Sequence, residues 1–307
     1  MRLAQRPRMG TPRVAIVGAG RMGLRHAYAF TALGLPVIGV DDNPWARATF
    51  ADHSFDVVQK LEEAVGACSH IVVATPNASH VSVALAALDY NLPLLVEKPI
   101  SLDLVEAGQL VSAFGAKQVP LFVAHSERFH PAVSCVRGAL GTEPIAEARF
   151  VRMGPTQTTN VSPLLTHAIH DFDLARWLLG TPLRMATVKK VNDAEIVELV
   201  SEKGVRVSIA SGVQREPRRA LEIRTRTRTL IADLVTSKVT INDVSKVLAF
   251  RTTFGLEAQA RAFAILSPEL ATGADGLVAL ALATEAAVLS RDRATHRTMR
   301  DGVLVHE

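Results

Sequence analysis

The chain is poor in cysteine, with two in 307 residues. Cys68 and Cys135 have no pairing or ligand spacing around them, which excludes a disulfide-stapled scaffold and a cysteine-built zinc site. They read as reduced, buried thiols of a cytoplasmic protein. Aromatic residues amount to 5%, and no nucleic-acid-binding motif occurs. A pI of 9.3 with a formal net charge of +4 therefore does not call for a nucleic-acid partner. No window approaches about 18 uninterrupted apolar residues, so no membrane span is expected. Residues 1–12 are basic with no apolar stretch behind them, an extended start rather than a secretory signal. Internal repeats and low-complexity linkers are absent as well. What remains is an ordinary globular composition, 48% hydrophobic and 21% charged, long enough for two domains with their own cores.

The most informative stretch that is present is Val14-Ala15-Ile16-Val17-Gly18-Ala19-Gly20-Arg21-Met22-Gly23. A short apolar run reads as a buried strand, and three glycines then lead into a helix. Gly18 permits the tight turn, Gly20 lets the backbone approach a pyrophosphate, and Gly23 allows close helix–strand packing. The helix opening there presents free N–H groups and the positive end of its dipole to an anion, with Arg21 and Met22 in its first turn. A second strand-like run, Pro36 to Val40, ends in Asp41, 18 residues beyond Gly23. That is where a carboxylate accepts hydrogen bonds from the adenosine ribose hydroxyls and repels a 2′-phosphate, which favours NAD over NADP.

Residues 13 to about 123 alternate apolar runs with helical segments, the βαβ pattern of a parallel sheet. Strands are expected at 13–17, 36–40, 70–74, 93–96 and 120–124. Beyond residue 125 come strand-like segments at 145–153, 184–192, 196–201, 205–213, 219–234 and 238–243, most joined by links too short for a helix. Helices are expected near 164–179, 255–267 and 275–290. The fold class is therefore α/β: a doubly wound parallel Rossmann sheet over residues 1–124, then an α+β domain with an open, mostly antiparallel sheet over 125–307. Arg224, Arg226 and Arg228 alternate with threonines, so they are expected to share one strand face, solvated or in a subunit interface. An open sheet of this kind commonly self-associates, so a homodimer or homotetramer through it is expected.

The runs Val73-Ala74-Thr75-Pro76-Asn77-Ala78-Ser79-His80, Val96-Glu97-Lys98-Pro99, Arg128-Phe129-His130-Pro131 and Leu164 to Gly180 occur in an order and spacing that resembles the Gfo/Idh/MocA oxidoreductases. The Glu-Lys-Pro triplet downstream of the glycine turn is the specific element. The resemblance implies that Thr75, Pro76, Asn77, His80 and Glu97 border the cofactor, and that Lys98 reaches the reacting carbon beside the nicotinamide. It also implies a Lys98–Pro99 bond that is often cis.

The family's second catalytic element is an Asp followed four residues later by a His. Here the His is His170, but the position four before it is Thr166. Other groups that could orient His170 are His167, Asp171 and Asp173, the last more often structural. On this resemblance Lys98 and His170 are the catalytic pair of a hydride transfer between a nicotinamide and a secondary alcohol or ketone. The implied substrate is a sugar, cyclitol or nucleotide-sugar, with Arg128, Asn160, Thr166 and His167 as further contacts. No metal is expected, since His167 and His170 lack a third ligand. Two other readings stay open: a reductase of a non-sugar keto or imine substrate, and a non-catalytic NAD-binding regulator on the same fold.

Overall fold

The computed structural model describes residues 13–155, 162–192, 194–248 and 254–303. The chain divides into two units: one runs up to Ser126 and takes in Thr252–Leu277, and the other comprises Glu127–Arg251 and the chain from Val278.

The first unit alternates strands and helices: β1 (Arg13–Val17), α1 (Arg21–Thr31), β2 (Val37–Val40), α2 (Pro44–Asp52), β3 (Asp56–Val58), α3 (Leu61–Ala64), β4 (Cys68–Val73), α4 (His80–Ala87), β5 (Leu94–Val96), α5 (Leu104–Lys117) and β6 (Leu121–Val123). These six strands are parallel, in the order β6-β5-β4-β1-β2-β3. The chain thus moves one way from β1 through β3 and the other way from β4 onward. The point of reversal lies between β1 and β4, where open α/β sheets bind ligands beyond their carboxyl ends. Covered on both faces, the strands are near-continuous apolar runs, with Ile16, Ile71, Leu94 and Leu95 fully buried. Helix α1 buries Gly23, His26, Ala27 and Phe30, one stripe at helical spacing. Helix α2 starts on Asn43, whose side chain accepts from Trp45 and Ala46 N–H, with Pro44 as its first residue.

The second unit contains α6 (Pro131–Leu140), β7 (Glu147–Gly154), α7 (Pro163–Thr166), α8 (Ile169–Leu179), β8 (Leu183–Val191), β9 (Ala194–Ser201), β10 (Arg206–Val213), β11 (Arg218–Arg224), β12 (Thr229–Asp233), β13 (Lys238–Ile241) and β14 (Val244–Val247). Its sheet has the order β14-β13-β12-β11-β7-β10-β9-β8 and is antiparallel except where β10 runs parallel to β7. Residues such as Phe150, Leu199, Ile209 and Ile223 are buried, while Glu147, Arg149, Glu222 and Arg224 alternate with buried neighbours and pair among themselves.

The chain then continues through α9 (Phe254–Ala264), β15 (Ala271–Thr272) and α10 (Gly273–Val303). Here the expected single cut between residues 124 and 125 needs correction. Strand β15 pairs antiparallel with β6 as the edge of the first sheet. Phe263 of α9 lies edge-on to Phe30, His70 and Phe122 at ring distances of 6.4, 4.9 and 6.0 Å. Apolar cover for the first sheet thus comes from residues 254–277, which local periodicity cannot reveal. The Gly273–Arg291 part of α10 is long and apolar enough to cross a bilayer by length and composition, and half of that window is buried inside the protein.

Two further expectations change. The helix expected over 164–179 is broken into α7 and α8: the amide of Ala168 donates to Pro163 O, and regular bonding resumes with Phe172 N to Ala168 O. The expected strand 219–234 is a hairpin. Thr225 N donates to Arg228 O at 2.9 Å while Thr225 Oγ1 accepts from Arg228 N, which closes a turn. Arg224, Arg226 and Arg228 therefore do not share a strand face. Arg228 instead donates from Nε to Glu143 at 2.7 Å, and Arg224 pairs with Glu222.

Candidate active site

In the first unit the turn after β1 is shaped by its glycines. Gly18 adopts φ +101°, and a Cβ there would lie 2.6 Å from the Ala74 carbonyl carbon, so the turns after β1 and β4 touch. At Gly23 a Cβ would come within 1.9 Å of Gly18 O, so α1 rests directly on the turn. Gly20 differs, because nothing in the protein lies within 4 Å of where its Cβ would be. That open position is the one a pyrophosphate would approach.

Asp41 is held in place at the end of β2. Its Oδ2 accepts from Ala19 N at 2.8 Å and its Oδ1 from Asn43 N at 2.9 Å. Arg47, the nearest cation along the chain, donates to the carbonyls of Asp41 and Asp42 at 2.8 and 2.9 Å. After β4 comes Thr75, whose Oγ1 is buried without a hydrogen-bond partner, followed by exposed Pro76 and half-buried Asn77. A buried hydroxyl without a partner costs about 1–3 kcal/mol unless something else supplies one. An open cradle at Gly20, an oriented carboxylate at Asp41 and an orphaned hydroxyl at Thr75 fit a dinucleotide along this sheet edge. Arg21 is exposed and Met22 half-buried in the first turn of α1.

Glu97, Lys98 and Pro99 follow β5 directly, and the Lys98–Pro99 bond is cis. Glu97 is buried, with Oε1 2.8 Å from His26 Nε2 and Oε2 accepting from Lys98 N at 3.2 Å. Burial alone would push the Glu97 carboxyl up; the His26 hydrogen bond and the neighbouring charges outweigh it and hold the group below the usual carboxylate range. Lys98 is half-buried between buried neighbours. His80, with no exposed surface, bonds Pro99 O through Nδ1 at 2.8 Å and Thr75 O through Nε2 at 3.0 Å. Two expectations are corrected here. His80 and Glu97, grouped with the cofactor contacts, turn their polar atoms inward onto protein partners.

In the second unit His170 is buried in the first turn of α8. Thr166 ends α7 and donates from Oγ1 to Ser162 O at 3.3 Å, and His167 sits at the break between the helices. Both acidic neighbours of His170 are gripped by arginine. Asp171 receives Nε and Nη2 of Arg152, each at 2.9 Å, and Arg152 Nη1 reaches Glu127 at 3.0 Å. Burial pushes the Asp171 carboxyl up against the pull of Arg152. For Glu127 burial acts the same way, but Arg152 and the nearby cations outweigh it and hold the group down. Asp173 receives Nε and Nη2 of Arg128 at 2.8 and 2.5 Å. The Arg128 guanidinium also lies 5.4 Å from the ring centre of Trp177. Arg128, expected at the substrate, is thus a buried structural cation. Asn160 lies outside the described residues.

Sequence reasoning missed His26 and the role of Arg152, which reads as a solvated or substrate-facing cation and is instead buried against Asp171 and Glu127. For His26 a signal existed, a polar ring three residues after Gly23 on the apolar stripe of α1. For Arg152 none did, since its partners lie 19 and 25 residues away. Cys68 and Cys135, expected to be buried, are half-buried free thiols, and burial pushes the Cys68 thiol up to about 11, away from the thiolate form. No cluster of three or more metal-ligating side chains occurs among the described residues.

Residues 12–125 match the model of the oxidoreductase family with an NAD-binding Rossmann fold, GFO_IDH_MocA. UDP-N-acetylglucosamine 3-dehydrogenase of Acidithiobacillus ferrooxidans is 28% identical over 223 residues, 69% of this chain and 70% of that protein. Its solved structure superposes with a TM-score of 0.78 at 25% identity, covering 92% of this chain and 98% of that one. Inositol 2-dehydrogenase 4 of Saccharopolyspora erythraea is 28% identical over 222 residues, 64% of this chain and 65% of that protein, a little under two thirds of its length. GenD2 from gentamicin A biosynthesis, solved in complex with NAD, shares the fold with a TM-score of 0.77 at 21% identity, covering 95% of this chain and 97% of that one. These likenesses follow the order of motifs along the chain, and over residues 12–125 the protein is similar to the Gfo/Idh/MocA oxidoreductases.

Proposed function

We propose that the protein is an NAD-dependent dehydrogenase, or ketoreductase in the reverse direction, acting on a secondary alcohol or ketone of a sugar, cyclitol or nucleotide-sugar. The observation that carries the reading is Lys98, fixed at the end of β5 on the sheet edge that also bears the glycine turn and the orphaned Thr75 hydroxyl. The named activities of relatives such as the UDP-N-acetylglucosamine and inositol dehydrogenases supply the substrate class.

When bound, the nicotinamide supplies the hydride acceptor or donor. The turn shaped by Gly18 and Gly23 receives the pyrophosphate at its open position, Gly20, and Asp41 receives the adenosine ribose. Asp41 disfavours a 2′-phosphate, and Arg47 already donates to two backbone carbonyls, which supports NAD over NADP. Lys98 donates to the reacting oxygen and stabilises the negative charge that develops on it. His170 takes the hydroxyl proton in the oxidation direction. Thr166 and His167 read substrate hydroxyls. Self-association through the open sheet of the second unit and a cytoplasmic setting complete the reading.

The test is absorbance at 340 nm with NAD and a panel of cyclitols, free sugars and nucleotide-sugars. Turnover of at least one member is expected, and Lys98→Met lowers it by about 10³-fold while NAD affinity stays within a few-fold. Turnover of any member excludes a non-catalytic NAD-binding regulator, the reading that Thr166 in place of the family's Asp favours.

A further inference from the structure

Two buried histidines from different helices meet the chain on either side of Lys98. On the N-terminal side His26 of α1, 1% exposed, holds Glu97 Oε1 at 2.8 Å. The other oxygen of that carboxylate accepts the Lys98 amide. The Glu97 amide in turn donates to Val73 O at 2.9 Å. On the C-terminal side His80, the first residue of α4, bonds the Pro99 carbonyl at 2.8 Å and the Thr75 carbonyl at 3.0 Å. The residues before and after the lysine are therefore each pinned by an imidazole shielded from water. Neither histidine has a role in cofactor or substrate contact in the reading above.

We propose that His26 and His80 are positioning residues for Lys98, holding Glu97 and Pro99 so that the ammonium group is presented in one place. The proposal rests on the reading of Lys98 as the group that meets the reacting oxygen. Residue chemistry fits the task. A histidine ring with a hydrogen on each nitrogen carries two donors on opposite edges of a rigid plane, so His80 can donate to two carbonyls that face it from different loops. An amide side chain carries both donor hydrogens on one nitrogen and cannot make that span. His26 contacts Glu97 through a single nitrogen, so an amide of similar reach can replace it. The clamp also ties Lys98 to the cofactor edge: His26 lies on the helix that opens at the glycine turn, and His80 grips the loop bearing Thr75. Displacement of a reacting group by about 1 Å costs about 10²-fold in rate, which sets the expected size of the effect.

The test uses the full-length protein with His26→Ala, His26→Gln, His80→Ala and His80→Gln, and two readouts. The first needs no substrate. Lysines are reductively ¹³C-methylated, the Lys98 signal is assigned by its loss in Lys98→Arg, and its shift is followed without and with saturating NAD. In the wild type the signal is distinct from those of surface lysines and responds to NAD. In both alanine variants it moves to the surface-lysine position, while the thermal transition stays cooperative. His26→Gln restores the wild-type signal and His80→Gln does not.

The second readout is steady-state kinetics on a substrate found in the panel. There kcat falls by about 10²-fold, with KM for NAD within about threefold, and His26→Gln recovers most of the loss. Folded variants that keep the wild-type Lys98 signal and its NAD response overturn the proposal. If the alanine variants do not fold, the glutamine pair decides: a restored signal in both, or in neither, overturns it. An inactive wild type with the signals behaving as described removes the enzymatic reading and leaves the positioning role standing.

Discussion

The two units hold their functional side chains by different physics. In the first unit the sheet edge is set by main-chain contacts: glycines that let two turns touch, and carbonyls and a carboxylate gripped by imidazoles. In the second unit the first turn of α8 is held by buried guanidinium–carboxylate pairs, Arg152 on Asp171 and Glu127, and Arg128 on Asp173. Touching turns and hydrogen bonds to main-chain groups fix the geometry in the first, with the buried Glu97 carboxylate held against His26. Buried ion pairs fix it through charges that are costly to strand, because removing one partner leaves the other desolvated and uncompensated.

This contrast can be broken at several points. The largest effect is on rate: His170→Ala should lower kcat by about 10²–10⁴-fold in stopped-flow or steady-state assays if it is the general base. A loss confined to KM would make it a binding residue.

Next comes Arg152→Met, expected to cost about 3–5 kcal/mol in chemical denaturation near neutral pH. Asp171 already has its carboxyl raised by burial, so its protonated form is favoured in the folded state and it disfavours folding more as pH rises through its folded pKa. Glu127, held down in the wild type, loses the cation that does most to keep it there. The deficit of Arg152→Met should therefore shrink as pH is lowered from 8 toward 5. A deficit independent of pH would place the loss in packing rather than charge.

A third test separates two neighbouring glycines. Gly23→Ala should destabilise the protein by about 3 kcal/mol, because the new methyl would sit on Gly18 O. Gly20→Ala meets no protein atom and should change stability by less than about 1 kcal/mol. Titration calorimetry should nonetheless show its NAD affinity falling about tenfold or more, equivalent to about 1.4 kcal/mol.

The smallest effect belongs to Thr75→Val. With no protein partner for the hydroxyl, the thermal midpoint should hold or rise. NAD affinity should drop by about 2–10-fold, the value of one neutral hydrogen bond of about 0.5–1.5 kcal/mol. Unchanged affinity would mean that something other than the dinucleotide satisfies that hydroxyl.

The same contrast governs what can be read from the residues alone. The parallel sheet, the glycine turn and the Glu97-Lys98-Pro99 triplet are contiguous runs whose spacing carries their geometry, and each lies where its pattern expects. Partners far apart in the chain leave no such trace. Arg152 resembles any strand arginine until Asp171 and Glu127 come to it. Arg128 reads as a ligand contact because nothing local announces Asp173. His80 lies between the two: its position is plain, but only the fold reveals that both ring nitrogens turn inward. The break between α7 and α8 and the hairpin at Thr225 were hidden by propensities that also suit unbroken elements.

The excursion of the chain out of the first unit at Ser126 and its return at Thr252 has a consequence for biosynthesis. The aromatic ring that covers Phe30, His70 and Phe122 is encoded far downstream of them. A nascent polypeptide emerging from the ribosome must carry that apolar face uncovered until the second unit has been synthesised. Terminating translation after the six parallel strands would leave it permanently wet. The dinucleotide-binding half is thus among the first parts made and among the last to be finished, and this interval is when the molecule most needs protection from aggregation.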